Sequence, residues 1–122
     1  MRMRELIAVL QQSVPFTYFA NTFPVKANDC AAVRLTGGRE SSIKANVRRP
    51  TIQILIRVED PALADAKANE LFRTFNGKRD FDVGNTHVIF CAAQQSSPLF
   101  LGLDESNRSI YSINFSLITE EA

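Results

Sequence analysis

Thr51-Ile52-Gln53-Ile54-Leu55-Ile56-Arg57-Val58-Glu59-Asp60-Pro61 is the stretch from which the fold can be read. Ile52, Ile54, Ile56 and Val58 share one face of a strand, and Gln53, Leu55 and Arg57 share the other. Asp60 then stands where a helix N-cap belongs. Pro61 takes the first helical position, where its fixed φ and missing N–H do no harm. Ala64, Ala68, Leu71, Phe72 and Phe75 recur at helical spacing and predict the buried face. Asn76-Gly77 ends the helix, because glycine accepts the left-handed turn that follows.

Upstream, residues 2–13 predict a helix with Met3, Leu6, Ile7 and Leu10 in one apolar stripe, stopped by Pro15. Residues 16–23 are aromatic and β-branched and suit a short strand, closed by Pro24. Residues 31–35 suit another, with Ala31, Val33 and Leu35 on one face. Residues 36–50 are rich in glycine, serine and arginine and read as a long polar loop, a feature that is usually functional or disordered. Downstream, residues 86–93 alternate Val88, Phe90 and Ala92 against His87, Ile89 and Cys91. Residues 109–118 set Tyr111, Ile113, Phe115 and Leu117 against Ser112, Asn114 and Ser116. The polar link Leu103–Arg108 predicts a turn, so these last two strands are expected to pair as a hairpin. The expected fold is α+β: a single mostly antiparallel β-sheet with two helices packed on it, in one domain over residues 1–122.

With 122 residues and 13.6 kDa, the chain has one domain's worth of sequence. Apolar residues at 45% and charged residues at 22% exclude disorder as well as collagen and coiled-coil classes. No apolar run reaches the roughly 18 residues of a membrane span. The basic, then apolar, N-terminus lacks a small-residue cleavage site, so an intracellular product is expected. The net charge is +1, but it is unevenly distributed. Residues 1–58 carry nine bases and three acids; residues 59–122 carry five bases and ten acids. If the two sets take opposite faces, successive copies can meet head to tail with matched potentials. If folding intermixes them, no such dipole survives.

Catalytic signals are weak. His87 is the single histidine. Four residues of strand put Cys91 about 13 Å away from it, which argues against a zinc site. Cys30 and Cys91 read as reduced, buried thiols. Gly37-Gly38 lacks the remainder of any phosphate-binding fingerprint. Asp80 and Asp82 read as solvated carboxylates in a polar loop after the helix. No enzyme and no cofactor are expected. Arg39, Lys44, Arg48 and Arg49 lie in or beside the 36–50 loop. Gathered from several copies, such loops would contact phosphates without reading sequence; alone, the loop is solvated.

From Pro50 onward, an ordered set of pieces resembles a phage family usually called minor capsid or tail-completion proteins, which includes tail terminators of long-tailed phages. The pieces are Pro50 with the strand Ile52–Arg57, then Asp60-Pro61 with Ala64, Ala68 and Leu71. Pro98, Leu101-Gly102-Leu103-Asp104-Glu105, Arg108, Tyr111, Asn114 and Phe115 follow. The resemblance implies a small α/β fold assembled as a hexameric ring on the end of the tail tube. It implies partners in the chain itself, the tail tube protein and the head–tail connector, with DNA passing through the lumen and no membrane. The location it implies is the host bacterial cytoplasm during assembly, then the tail–head junction of the virion. Gln53, Arg57, Asp104 and Arg108 are the candidate subunit or tube contacts, with Arg57 pairing to an acid such as Asp104 or Glu105. The competing reading makes Gln53 and Arg57 structural and has Asp104 and Arg108 close a turn. Arg39, Lys44, Arg48 and Arg49 are the candidate lumen contacts. A connector stopper, a non-specific nucleic-acid-binding module and a small enzyme centred on His87 or Asp80–Asp82 are the other function classes.

Overall fold

A computed structural model describes residues 1–42 and 44–121. The elements run α1 (Met3–Ser13), β1 (Tyr18–Ala20), β2 (Cys30–Leu35), β3 (Arg39–Ser42), β4 (Val47–Arg49), β5 (Thr51–Val58), α2 (Pro61–Phe75), β6 (Lys78–Val83), β7 (Thr86–Ala93), β8 (Leu99–Leu103) and β9 (Ser109–Glu121). The fold is α+β, with one large, open and mostly antiparallel sheet.

The 13-residue strand β9 is the centre of that sheet. On one side its first part pairs with β5 over eight residues, Val58↔Ser109 through Thr51↔Ser116, and its last part pairs with β4. On the other side the first part pairs with β8 and the last part with β7. Outward from β5 come β2 and then β1; β3 flanks β4 and β6 flanks β7. Among the described residues only β1 and β2 run parallel.

Alternation dictates which face is buried. Ile52, Ile54, Ile56 and Val58 of β5 and Ile113, Phe115 and Leu117 of β9 point into one cluster. Leu6 and Leu10 of α1 and Ala64, Ala68, Leu71 and Phe75 of α2 close over it. Asp60 accepts from Ala62 N–H as the N-cap of α2, with Pro61 beside it. Phe75 and Phe115 meet edge-on at 6.4 Å, an aromatic geometry favoured by the ring quadrupoles.

Several expectations are corrected. The polar loop over 36–50 is instead the β3–β4 hairpin, although residue 43 lies outside the described residues. Gly37 and Gly38, at φ of 92° and 90°, lead the chain into it. The signal was hidden because the hairpin is an exposed sheet edge with no buried side chain, so it leaves no period of two in apolar residues. Asp80 and Asp82 lie on the edge strand β6, polar for the same reason. The turn at 104–108 joins β9 to β8, a strand whose Leu-Phe-Leu-Gly-Leu sequence does not alternate; β7 pairs with β9 further along. A bulge between Val88 and Phe90 shifts the register, so Val88 and Cys91 both face inward despite opposite parity. The strand expected over 16–23 contracts to Tyr18–Ala20. Leu35, at 40% exposure, does not join Ala31 and Val33 in the core.

Candidate functional site

Arg57 and Arg108, named as candidate contacts with a structural role as the alternative, are both buried, at 6% exposure each. Arg57 lies on β5 next to Ile110 of β9, so its guanidinium starts from the middle of the sheet. It donates to the carbonyls of Pro24 and Ala27 and stands 4.4 Å over the Phe23 ring. Its Nε is buried without a hydrogen-bond partner. Arg108 donates from Nε to Asp104 Oδ2 at 2.7 Å and from Nη1 to Val25 O at 3.1 Å and Ala27 O at 2.9 Å. Two guanidinium groups therefore converge on one carbonyl and hold the 24–28 segment against the end of the sheet. Within the chain Asp104 is taken by Arg108, as the turn-closing reading of these two residues expects. Burial raises the Asp104 pKa, but the Arg108 N–H, the Arg108 guanidinium and the Ser106 N–H together bring it below the usual carboxylate value. The tip of the clamped segment, Val25, is 84% exposed.

Gln53 lies on the sheet face away from the helices. Its Nε2 donates to Ser112 Oγ at 3.1 Å. Gln95 extends this polar patch, accepting from the Asn114 backbone N–H at 3.0 Å and donating to Ser112 O at 2.8 Å.

Arg39 and Arg49 are direct cross-strand partners in the β3–β4 hairpin, both exposed. Like charges placed opposite one another repel unless an anion lies between or near them. Lys44 occupies the turn and Arg48 pairs with Thr119 of β9. Arg39 and Arg49 line a shallow groove of about 330 Å³ together with Phe90, Ala92, Gln94 and Ser116. Arg79 of β6 stacks 4.6 Å over the Phe90 ring. The groove thus takes an aromatic ring, with a cation stacked on it, from the acidic half of the sequence. Sequence reasoning missed both, because their signal is the β6–β7 register, in which Arg79 pairs with Phe90.

His87 is held between Asp82 (Nδ1, 2.8 Å) and Asp80 (Nε2, 3.3 Å) on the β6–β7 edge. The hydrogen bond to Asp82, then that to Asp80, raise its pKa above 6.5. Both ring nitrogens face carboxylates, so the arrangement favours a bound proton. Cys91 is buried, and burial pushes its thiol up to about 12, far from nucleophilic use. Among the described residues no group of three or more His, Cys, Asp or Glu side chains is placed to hold a metal ion. Nor is any helix among them long and apolar enough to cross a membrane.

The pieces in place are a sheet with two helices on one face, a clamped tip and a basic groove. Against that background, a family model described as bacteriophage tail terminator protein matches residues 2–121. The chain belongs to the bacteriophage tail terminator family. No curated protein matches it. The match takes in α1 and the poorly patterned 16–49 region as well as the pieces from Pro50 to Phe115. As a tail terminator the chain is a structural, tail-completing component of a phage virion.

Proposed function

We propose that the chain closes into a ring, with six copies as the expected number. The ring caps the tail tube, ends its polymerisation and offers the head connector its joining surface. It would assemble in the host bacterial cytoplasm and remain at the tail–head junction. The observation that carries this reading is the terminator family match across residues 2–121. The site chemistry agrees with it: polar and cationic surfaces fit an assembly role, and no reaction is needed. Within such a ring, Gln53 contributes through the polar sheet face, while Arg57, Asp104 and Arg108 act by fixing the 24–28 tip rather than by direct contact. The groove of Arg39, Arg49 and Arg79 beside Phe90 favours contact with DNA phosphates in the lumen, with Lys44 and Arg48 adding charge nearby.

The test is polymerisation of the tail tube protein with and without the chain. Tubes of limited length with a ring at one end, seen by negative stain, are expected. Tubes that grow unhindered and carry no ring would overturn the reading, and binding to the head connector alone would move the chain to the stopper class.

A further inference from the structure

Among the described residues four strands have one unpaired edge: β1, β3, β6 and β8. Exposed edges invite pairing with other chains, and proteins ordinarily block them with charge or irregular backbone. Two of the four are blocked in this way. Strand β3 begins Arg39-Glu40 and is exposed throughout. Strand β6 carries Lys78, Arg79, Asp80 and Asp82, with Asp80 at a φ of 52°. The other two carry no charge at all. Strand β1 is Tyr18-Phe19-Ala20. Strand β8 is Leu99-Phe100-Leu101-Gly102-Leu103, with its four large side chains 52–58% exposed.

The two unblocked edges lie on opposite sides of the sheet, β1 beyond β5 and β2, and β8 across β9. They also stand at the same level: Tyr18 lies in line with Ala31, Ile56 and Tyr111, and Tyr111 pairs with Phe100 on the far side. A β8-to-β8 contact would close at two copies and leave β1 unpaired, whereas a β8-to-β1 contact satisfies both edges. Strand directions agree as well. β2 and β8 are each antiparallel to a neighbour, β5 and β9 are antiparallel to each other, and β1 is parallel to β2. Strand β1 therefore runs opposite to β8, and copies related by rotation about an axis along the strands would pair the two in antiparallel fashion.

We infer that the β8 edge of one copy adds to the β1 edge of the next, so that the sheet continues from subunit to subunit. This rests on the ring reading above and specifies the surface through which the copies meet. Such a contact is heterologous and closes when the rotation between copies closes. It covers Leu99, Phe100, Leu101 and Leu103 and satisfies backbone groups on both edges.

The test uses Leu101→Cys and Ala20→Cys, both at exposed positions, in the full chain. A bis-maleimide reaching about 10 Å spans neighbouring strands roughly 4.8 Å apart even with two residues of slip. The wild type, whose Cys30 and Cys91 are buried, is the control. Light scattering of all forms is recorded in parallel. A mixture of the two variants is expected to give a covalent dimer, which neither variant gives alone. Leu101→Lys is expected to shift the wild-type ring at least tenfold toward monomer in concentration while retaining native circular dichroism. Cross-linking of Leu101→Cys alone would replace the β1 partner with a β8 pair and overturn the inference. A ring by mass that cross-links in no combination would overturn it too, leaving the ring reading intact. A wild type that stays monomeric alone and on tube ends would overturn both.

Discussion

At the scale of single residues, two buried arginines govern a tip that neither of them occupies. Losing either guanidinium takes the donor from a part-buried carbonyl, Pro24 O for Arg57 and Val25 O for Arg108, and leaves Ala27 O with one donor of two, at up to about 1 kcal/mol per bond lost. Arg57→Ala should therefore lower the urea midpoint, and limited proteolysis should then cut within residues 24–28. Arg57→Lys should rescue only part of this, because an ammonium cannot reproduce the planar fork that reaches two carbonyls. A variant as resistant as the wild type would show that the clamp contributes nothing. His87 gives a second residue-level expectation. Its raised pKa means that its bonds to Asp82 and Asp80 stabilise the fold while the ring is protonated. That contribution is complete below the unfolded pKa and is lost as pH rises through the folded value. Titration of the His87 ring by NMR should give a value above 6.5, and Asp82→Asn should lower it more than Asp80→Asn. Arg57 was legible in the sequence as a charge among alternating apolar residues. Its inward direction was not, because the acceptors are backbone carbonyls more than 25 positions away, at Pro24 and Ala27.

Among the elements, legibility followed burial. β5 and α2 announced themselves because each buries one face against the other layer, which forces a period of 2 in the strand and 3.6 in the helix. The β3–β4 hairpin and β6 bury almost nothing, so their composition was free to look like loop. Glycine was the one available sign. Gly38 sits at a φ of 90°, and a Cβ there would run into the Arg49 carbonyl and Pro50. Gly38→Ala should displace the hairpin and raise hydrogen exchange at Arg39–Arg49, while the urea midpoint shifts little because no core is lost. The groove beside this hairpin makes its own prediction. Replacing Arg39 and Arg49 with Gln should weaken DNA binding uniformly across sequences. It should also reduce the salt slope of log K by about 0.9 per phosphate contact removed. An unchanged slope would take the pair off the list of phosphate contacts.

For the molecule as a whole, the expected α+β class and the helices on one face hold. The strand order could not be read. It depends on β9, whose 13 residues serve four neighbours, a division that no local pattern encodes. Hydrogen exchange should be slowest in β5 and the middle of β9, which are paired on both sides, and fast in β3, β6 and β8. On assembly β8 and β1 should slow, and β3 and β6 should not.

The position of β9 in the chain carries one more consequence, for synthesis. It is the last strand in the order of elements, yet β4, β5, β7 and β8 all pair with it. A ribosome therefore releases nearly every other element before the strand that organises them emerges. The nascent chain must wait, with Leu-Phe-Leu exposed, for distant pairings that are slow to form. A product terminated before Ser109 lacks the common partner of four strands.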